Sequence, residues 1–161
     1  MIDDAILAQA QTLLAATRAR GWKIATAESC TGGLIAATLT AIAGSSDVVD
    51  RGFVTYSNEA KAEMLGVELS VIASEGAVSD AVARTMAQGA LERSNADITI
   101  AVTGVAGPGG GSAAKPVGLV WFGLATRATV DSEYRIFPGD RNAVRAATVA
   151  HALGLIARYL G

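Results

Sequence analysis

The residues best suited to chemistry lie in one short turn, residues 28–33, which carries a carboxylate, a hydroxyl, a thiol, a second hydroxyl and two glycines. The turn follows an apolar run at residues 24–27 and precedes a helical pattern at residues 34–43. A strand-to-helix turn projects side chains outward and directs free helix N–H groups toward whatever binds above it. A nucleophile placed there would have anion-stabilising amides beside it. A hydroxyl at this position is also typical of an ordinary helix cap, which is what the turn alone indicates.

A nucleophilic serine needs a base, and the chain has no histidine in a suitable motif. The single histidine, His151, lies within the last predicted helix, and the Gly-x-Ser-x-Gly elbow is absent. Lysine serves as a base when burial or a neighbouring cation lowers its pKa. Lys61 is the best candidate, because residues 55–61 run from a predicted strand into a short helix and also bring Tyr56 toward the same cleft. Taken singly, each has an ordinary interpretation, as a solvated lysine and a strand-end aromatic.

Cys30 is the alternative nucleophile, with Glu28 and Lys61 as its partners in amide hydrolysis. Adjacent residues in a turn point in different directions, so only one of Ser29 and Cys30 should face a substrate. A free cysteine is more often a small buried apolar side chain. The sequence alone leaves the two alternatives open.

Two further features are suited to binding a phosphate. Residues 104–112 form a glycine-rich loop that matches neither the Walker A loop nor the dinucleotide fingerprint, yet its glycines permit positive φ and a close approach of the backbone to a ligand. Arg141 and Arg145 stand one helical turn apart and could present guanidinium groups to a phosphate. Solvated surface arginines are the ordinary alternative.

The elements that must position these residues alternate along the chain. Helices are predicted over residues 3–20, 34–43, 58–65, 79–94 and 140–159, and strands over residues 23–27, 52–56, 98–102, 117–126 and 130–137. The last two strands are separated by few residues and predict an antiparallel hairpin. The pattern predicts an α/β protein, a three-layer α/β/α sandwich with a mixed, mainly parallel central sheet. Ligands of such sheets bind where strands end in loops, so residues 28–33 and 104–112 should face one crevice.

Composition narrows the class of protein. A length of 161 residues predicts one domain over residues 1–161, and 51% hydrophobic residues supply an ample core. The net charge of -2, without a basic stripe, argues against a nucleic-acid partner. The longest uncharged apolar segment, residues 117–126, is too short for a bilayer, which needs roughly 20 residues. An acidic start and a single cysteine predict a cytoplasmic protein without a secretory signal, a disulfide or a zinc site.

Five blocks of the sequence together resemble a known family. They are residues 26–33 (TAESCTGG), 44–46 (GSS), 52–61 (GFVTYSNEAK), 103–110 (TGVAGPGG) and 115–121 (KPVGLVW). In this order they resemble the CinA C-terminal domain family, and the resemblance covers nearly the whole chain. One block alone would be a weak indication, whereas five in the family's order are specific.

The resemblance implies an enzymatic activity, that of a nicotinamide mononucleotide (NMN) amidohydrolase. Such an enzyme converts the carboxamide of NMN to nicotinate mononucleotide and ammonia in pyridine nucleotide recycling. It implies no cofactor, no metal and no membrane, a small nucleotide as substrate, and a homo-oligomer. Larger family members carry an additional N-terminal nucleotide-pyrophosphatase domain, and we expect this chain to resemble the stand-alone deamidases.

The residues expected to carry this activity come from the blocks and from the two arginines. Ser29 would attack the carbonyl, Lys61 with Tyr56 would handle the proton, and turn amides near residues 31–33 would hold the oxyanion. The expected substrate-binding residues are Thr31, Gly32, Gly33, Ser45, Thr103, Gly104, Gly107, Arg141 and Arg145. The alternative function is a non-catalytic nucleotide-binding module with a regulatory role in competence or DNA damage.

Overall fold

A computed structural model describes residues 2–161 and shows helices alternating with strands. The elements are α1 (Asp4–Ala19), β1 (Ile24–Glu28), α2 (Leu34–Thr40), a 3₁₀ turn (Ser45–Asp47), β2 (Val49–Val54), α3 (Asn58–Leu65), α4 (Leu69–Glu75), α5 (Asp80–Glu92), β3 (Ile98–Gly104), β4 (Leu119–Thr126), β5 (Val130–Ile136) and α6 (Arg141–Leu160). Over the part of the chain that the structure describes, no helix is both long enough and apolar enough to cross a membrane.

The strands form one mixed sheet in the order β2-β1-β3-β4-β5. β1 is parallel to β2 and to β3, whereas β4 is antiparallel to both of its neighbours. Four of the five strands therefore run in the same direction, which confirms the predicted mixed, mainly parallel sheet. The predicted β4–β5 hairpin is confirmed as well.

Each face of the sheet carries its own hydrophobic core. Along β3, Ile98, Ile100 and Val102 contribute to a core shared with α1, α2 and α6. Ala101 contributes to the second core, which α3, α4 and α5 cover. Because successive strand residues face opposite ways and both faces are covered, β3 is buried on both sides and its sequence is almost continuously apolar. The three-layer α/β/α sandwich is therefore confirmed.

Local signals mark some element boundaries better than others. The helices predicted to begin at residues 79 and 140 begin there within one residue, and each has a side-chain cap, since Ser79 accepts the Val82 amide and Asp140 accepts the Ala143 amide. The sequence prediction missed α4, which buries only Ile72 and has no side-chain cap at its start. The predicted second helix ends earlier, at Thr40. The predicted strand over residues 52–56 is displaced toward the N-terminus, because pairing with β1 defines β2 as Val49–Val54.

The sheet brings three chain segments together at the carboxyl ends of its parallel strands. Glu28 at the end of β1 is level with Val54 at the end of β2 and with Val102 near the end of β3. The segments that follow these strands therefore emerge side by side. They are the turn after β1, the lead into α3 and the glycine-rich loop after β3, as the sequence predicts for a ligand site.

Candidate active site

Ser29 and Lys61 meet at these strand ends although they lie far apart in the sequence. The Ser29 amide donates to the Val102 carbonyl at 3.0 Å, which fixes the start of the turn against β3. Lys61 lies in α3, whose N-terminus is capped by Ser57. The Lys61 Nζ atom is 3.0 Å from the Ser29 Oγ atom. Both side chains are buried, with Lys61 only 1% exposed.

Two backbone carbonyls hold the lysine in place. The Lys61 Nζ atom donates to the carbonyls of Thr55 at 3.0 Å and Tyr56 at 3.3 Å. Burial lowers the pKa of the Lys61 amine below its ordinary value, which favours the neutral form. A neutral amine has two hydrogens, which the two carbonyls can accept, and its lone pair is then left for the Ser29 hydroxyl. The arrangement is suited to removing the hydroxyl proton.

The surroundings of Cys30 shift the pKa of its thiol in the direction that disfavours a nucleophile. Its side chain is buried in the core beneath α2 and α6, and burial is the main cause that raises the pKa of its thiol to about 12. The thiol therefore stays protonated near neutral pH, and a thiol is a much weaker nucleophile than a thiolate. Of the two candidate nucleophiles, Ser29 is the one that Lys61 contacts.

Glu28 organises the turn that carries the nucleophile. Its fully buried carboxylate accepts the amides of Ile35 at 2.8 Å and Ala36 at 3.0 Å, and the Thr31 hydroxyl at 2.6 Å. The end of β1 thereby caps α2, whose N-cap residue, Gly33, has φ +100 and no side-chain cap bond. This role was missed from the sequence. The available signal was a carboxylate standing just before the free amides of the next helix.

Of the amides near residues 31–33 that were expected to hold an oxyanion, the Gly32 amide is already bonded within the turn. The Gly32 amide donates to the Ser29 carbonyl and the Leu34 amide to the Thr31 carbonyl, both within the turn. The first free amides of α2 are directed to Glu28. The α2 N-terminus is thus satisfied internally, and it holds the turn rigid below the nucleophile.

Removing the Glu28 carboxylate should destabilise the fold. Glu28→Ala leaves two buried donors, the Thr31 hydroxyl and the Ile35 amide, without an acceptor at about 1–3 kcal/mol each, and it also removes the acceptor of the half-buried Ala36 amide, so we expect a loss of at least roughly 2 kcal/mol in the free energy of unfolding. Glu28→Gln keeps one acceptor oxygen and should lose less. The measurement is urea denaturation, with Glu63→Ala, an exposed acid on α3, as the control. A Glu28→Ala midpoint equal to that of the control would contradict this assignment.

A cavity of about 320 Å³ lies above Ser29 and Lys61. Seven of the residues predicted to form the site line it: Ser29, Tyr56, Lys61, Thr103, Gly104, Gly107 and Arg141, and so does Cys30, the alternative nucleophile. The Thr103 hydroxyl donates to the Ala77 carbonyl at 2.8 Å and so ties β3 to the segment between α4 and α5. Lining residues that the sequence prediction missed are Asn58, Ala77, Val78, Val105, Ala106, Gly109 and Gly110. Asn58 lies within the block at residues 52–61, whereas Ala77 and Val78 carry no polar signal.

Arg141 bridges two walls of the cavity. Its guanidinium donates to the Gly107 carbonyl at 2.8 Å and to the Tyr56 hydroxyl at 3.0 Å. Gly107 has φ +83, a conformation that favours glycine. The Tyr56 ring is largely exposed, and its hydroxyl bonds to Arg141 while its carbonyl holds Lys61. Tyr56 therefore contributes to the lysine through its backbone.

The other predicted binding residues lie away from the cavity lining. Arg145 donates to the carbonyls of Cys30 at 3.2 Å and Thr31 at 2.9 Å, so it supports the turn from the side of α6. Thr31 is fully buried, and Gly32 and Gly33 belong to the same internally bonded turn. Ser45 precedes the start of β2, whereas Ser29 follows the end of the parallel strand β1, so the two residues lie at opposite ends of the strands.

His151 is remote from this chemistry, as the sequence suggests. Its ring packs 4.7 Å from that of Phe122, on the α6 side of β4. Burial lowers the pKa of His151, and its Nε2 atom is 3.6 Å from a Glu133 oxygen. The partner of Ser29 is Lys61.

Comparison with known proteins agrees with the block pattern. The family model for the CinA C-terminal domain matches residues 7–160. The chain is 49% identical over 154 residues to nicotinamide-nucleotide amidohydrolase PncC of Escherichia coli (strain K12), covering 95% of this chain and 93% of that protein. It is 54% identical over 139 residues to a putative competence-damage inducible protein of Caldicellulosiruptor bescii, covering 86% of this chain but only 34% of that protein.

The fold has close counterparts among solved structures. The competence/damage inducible protein CihA from Agrobacterium tumefaciens superposes with a TM-score of 0.94 at 49% identity, covering 98% of this chain and 97% of that one. Sequence and structure thus agree over nearly all of the chain. The chain belongs to the CinA C-terminal domain family.

Proposed function

We propose that this chain hydrolyses the carboxamide of NMN to nicotinate mononucleotide and ammonia. The observation that carries the proposal is the 3.0 Å contact between the Lys61 amine and the Ser29 hydroxyl at the base of a cavity. A hydroxyl activated by a desolvated amine is suited to attack on an amide carbonyl. The likeness to PncC of Escherichia coli, a nicotinamide-nucleotide amidohydrolase, supplies the substrate class.

In the acylation step the neutral Lys61 amine takes the Ser29 proton while the Ser29 Oγ atom bonds to the carboxamide carbon. The tetrahedral intermediate collapses when its C–N bond breaks, and the Lys61 ammonium gives its proton to the leaving nitrogen, which departs as ammonia. The Thr55 and Tyr56 carbonyls keep the amine in place through both transfers. The product of this step is an ester between Ser29 and the nicotinoyl group.

In the deacylation step water attacks the ester. Lys61, neutral again, takes a proton from the water, the bond between the carbonyl carbon and the Ser29 Oγ atom breaks, and the proton returns to Ser29. For the oxyanion we propose the amide of Cys30, which follows the nucleophile directly in the chain and lines the cavity. Thr31, Gly32 and Gly33 then act by holding the turn.

Arg141 is the proposed anchor for the substrate phosphate. It lines the cavity and carries a full charge, and the backbone around Gly107 and Gly110 offers further donors. The Arg145 guanidinium is already directed to the carbonyls of the turn. We therefore assign phosphate binding to Arg141 and support of the turn to Arg145.

This division predicts different results for the two arginines. Arg141→Ala should lower the preference for NMN over nicotinamide riboside roughly ten- to a hundredfold, since one charge-assisted contact contributes about 1.5–3 kcal/mol. Arg145→Ala should lower kcat/KM for both substrates alike. The measurement is the ratio of kcat/KM for the two substrates in each variant. Equal hydrolysis of NMN and the riboside by the unmodified protein would refute a phosphate anchor.

The pH dependence should report the protonation of Lys61. Its pKa is lowered by burial, so the protonated, inactive amine dominates only below that lowered pKa. We expect kcat/KM to rise with pH up to the lowered pKa and then to level off. Between this pKa and the pKa of an ordinary lysine, Lys61 carries a proton in the unfolded chain but not in the folded protein. The contribution of Lys61 to the free energy of unfolding therefore increases as the pH rises from the lowered pKa to the ordinary one. The riboside, which has no phosphate to titrate, is the control substrate, and a flat profile would contradict the role of Lys61.

Ammonia release from purified protein supplied with NMN tests the activity itself. We expect ammonia and nicotinate mononucleotide in equal amounts, and neither above background with Ser29→Ala. If no pyridine nucleotide in a panel yields ammonia above that control, the result would favour the non-catalytic nucleotide-binding module instead.

A further inference from the structure

β5 is an edge strand whose outer main-chain groups have no strand partner. Within residues 2–161 its ladder partner is β4 alone. The Phe137 amide donates to Gly118 and the Thr126 amide to Thr129, so odd-numbered residues of β5 bond to β4. The main-chain groups of Val130, Ser132, Tyr134 and Ile136 therefore point away from the sheet. Two side-chain contacts agree, because Arg84 and Arg135 donate to the outward carbonyls of Val130 and Tyr134.

Apolar side chains are exposed along this edge. Tyr134 and Ile136 are 51% and 56% exposed, and the Tyr134 ring lies 5.1 Å from that of Trp121 on β4. Natural edge strands are usually protected by bulges, prolines, charged side chains or covering elements, and of these β5 carries charged side chains, at Asp131, Glu133 and Arg135. The opposite edge strand, β2, has a register irregularity opposite Ile24 and Ala25, whereas β5 follows β4 without one and contains no proline.

The charges on the other face of β5 determine which register a second copy could adopt. Glu133 and Arg135 stand two residues apart, 2.8 Å from each other, and the Glu133 carboxylate also accepts a bond from Arg158 of α6 at 2.9 Å. In an antiparallel pair centred on Tyr134, Glu133 lies opposite Arg135 of the second copy and Arg135 lies opposite its Glu133. Centring on Glu133 or on Arg135 places like charges opposite each other, and centring on Ser132 places Glu133 opposite Asp131. Opposite charges across a strand pair stabilise it and like charges destabilise it.

We propose that β5 pairs antiparallel with β5 of a second copy of this chain, centred on Tyr134, and so forms a two-fold symmetric dimer with one continuous sheet. The outward groups of Ser132 and Ile136 and the Tyr134 amide then find partners in the second copy, and the Tyr134 carbonyl accepts an amide of that copy in addition to, or in place of, its 2.9 Å bond from Arg135. The ladder ends where Val130 would meet Pro138, which has no amide hydrogen, and the Val130 carbonyl is already bonded to Arg84. The Tyr134 and Ile136 side chains become covered on one face. On the other face of the sheet, Glu133 and Arg135 of one copy stand opposite Arg135 and Glu133 of the second copy.

The backbone part of the proposal is tested by a proline at the centre. Tyr134→Pro removes an outward amide but no bond to β4, and edge strands tolerate proline at such positions. Light scattering should give twice the 16.3 kDa of one chain for the unmodified protein and 16.3 kDa for Tyr134→Pro. Tyr134→Phe keeps the amide and the ring and should remain dimeric. Circular dichroism checks that each variant keeps its fold.

The register is tested by charge exchange. Glu133→Arg and Arg135→Glu each place like charges at both facing positions and should be monomers when alone. When the two variants are mixed, the two arginines of the Glu133→Arg copy face the two glutamates of the Arg135→Glu copy, so a one-to-one heterodimer should form. A monomeric unmodified protein at high micromolar concentration would overturn the proposal. So would a dimer that persists in Tyr134→Pro, or two folded charge variants that do not associate.

Discussion

Replacing Ser29 by alanine is expected to lower kcat for NMN by roughly 10⁴- to 10⁶-fold, because the variant cannot form the acyl ester. The substitution removes one hydroxyl from a nearly buried position, so we expect the fold to persist. Lys61 keeps its contacts with the Thr55 and Tyr56 carbonyls, and substrate binding should change little. The measurement is ammonia release at saturating NMN, together with the thermal unfolding midpoint of each protein.

Cys30 provides the matched control in the adjacent position. Its thiol is buried in the core and its pKa is raised to about 12, so we expect Cys30→Ala and Cys30→Ser to keep kcat within about tenfold of the unmodified protein. Both variants can lose some stability because they alter a packed side chain. If Cys30→Ala were inactive while Ser29→Ala retained activity, the nucleophile would be Cys30 and the Ser29–Lys61 mechanism would be wrong.

The second large effect is expected at Lys61. Lys61→Met fills much of the same buried volume without an amine, so it removes the base with little cavity, and kcat should fall roughly 10²- to 10⁴-fold. Lys61→Arg should restore little, since a guanidinium stays protonated near neutral pH. The measurement is kcat for NMN in each variant, with folding verified by the unfolding midpoint. A folded Lys61→Met enzyme with at least half of the original kcat would place the base elsewhere.

The convergence of Ser29 and Lys61 could be predicted because it depends on topology. Strands that run in one direction end at one edge of the sheet, so a motif after β1 and a motif after β2 must lie close together. The starts of the helices at Asp80 and Arg141 could be predicted for a similar reason, since the N-cap bonds of Ser79 and Asp140 are local. α4 had no such local signal, and its position depends on the packing of Ile72 into the second core.

The separation of Arg141 from Arg145 could not be predicted from the sequence. The two residues stand one turn apart on α6, yet the first reaches the cavity and the second reaches the back of the turn. Which of these surfaces each side chain meets depends on the axial position of α6 over the sheet. Ser45 illustrates the same limit. Its block matches the family pattern, but that match does not indicate at which end of the strands the block lies.

The bonds of Glu28 could not be read from the sequence for a related reason. Its carboxylate bonds to amides seven and eight residues later in the chain, which requires the turn to fold back on the end of β1. The distinction between Ser29 and Cys30 likewise comes from their contacts, since the Ser29 hydroxyl meets Lys61 whereas the Cys30 side chain packs into the core. Adjacent residues of the turn point to the cavity and to the core, and only the three-dimensional structure shows which is which.

The acyl ester on Ser29 is the central claim, and trapping with hydroxylamine tests it most directly. Hydroxylamine competes with water for an ester, so NMN should yield the hydroxamate of nicotinate mononucleotide at the expense of the acid. Ammonia should be released in an amount equal to both products together, and Ser29→Ala should form neither. If the unmodified enzyme releases ammonia and forms only the acid at every hydroxylamine concentration, water attacks the amide directly and the covalent mechanism is contradicted.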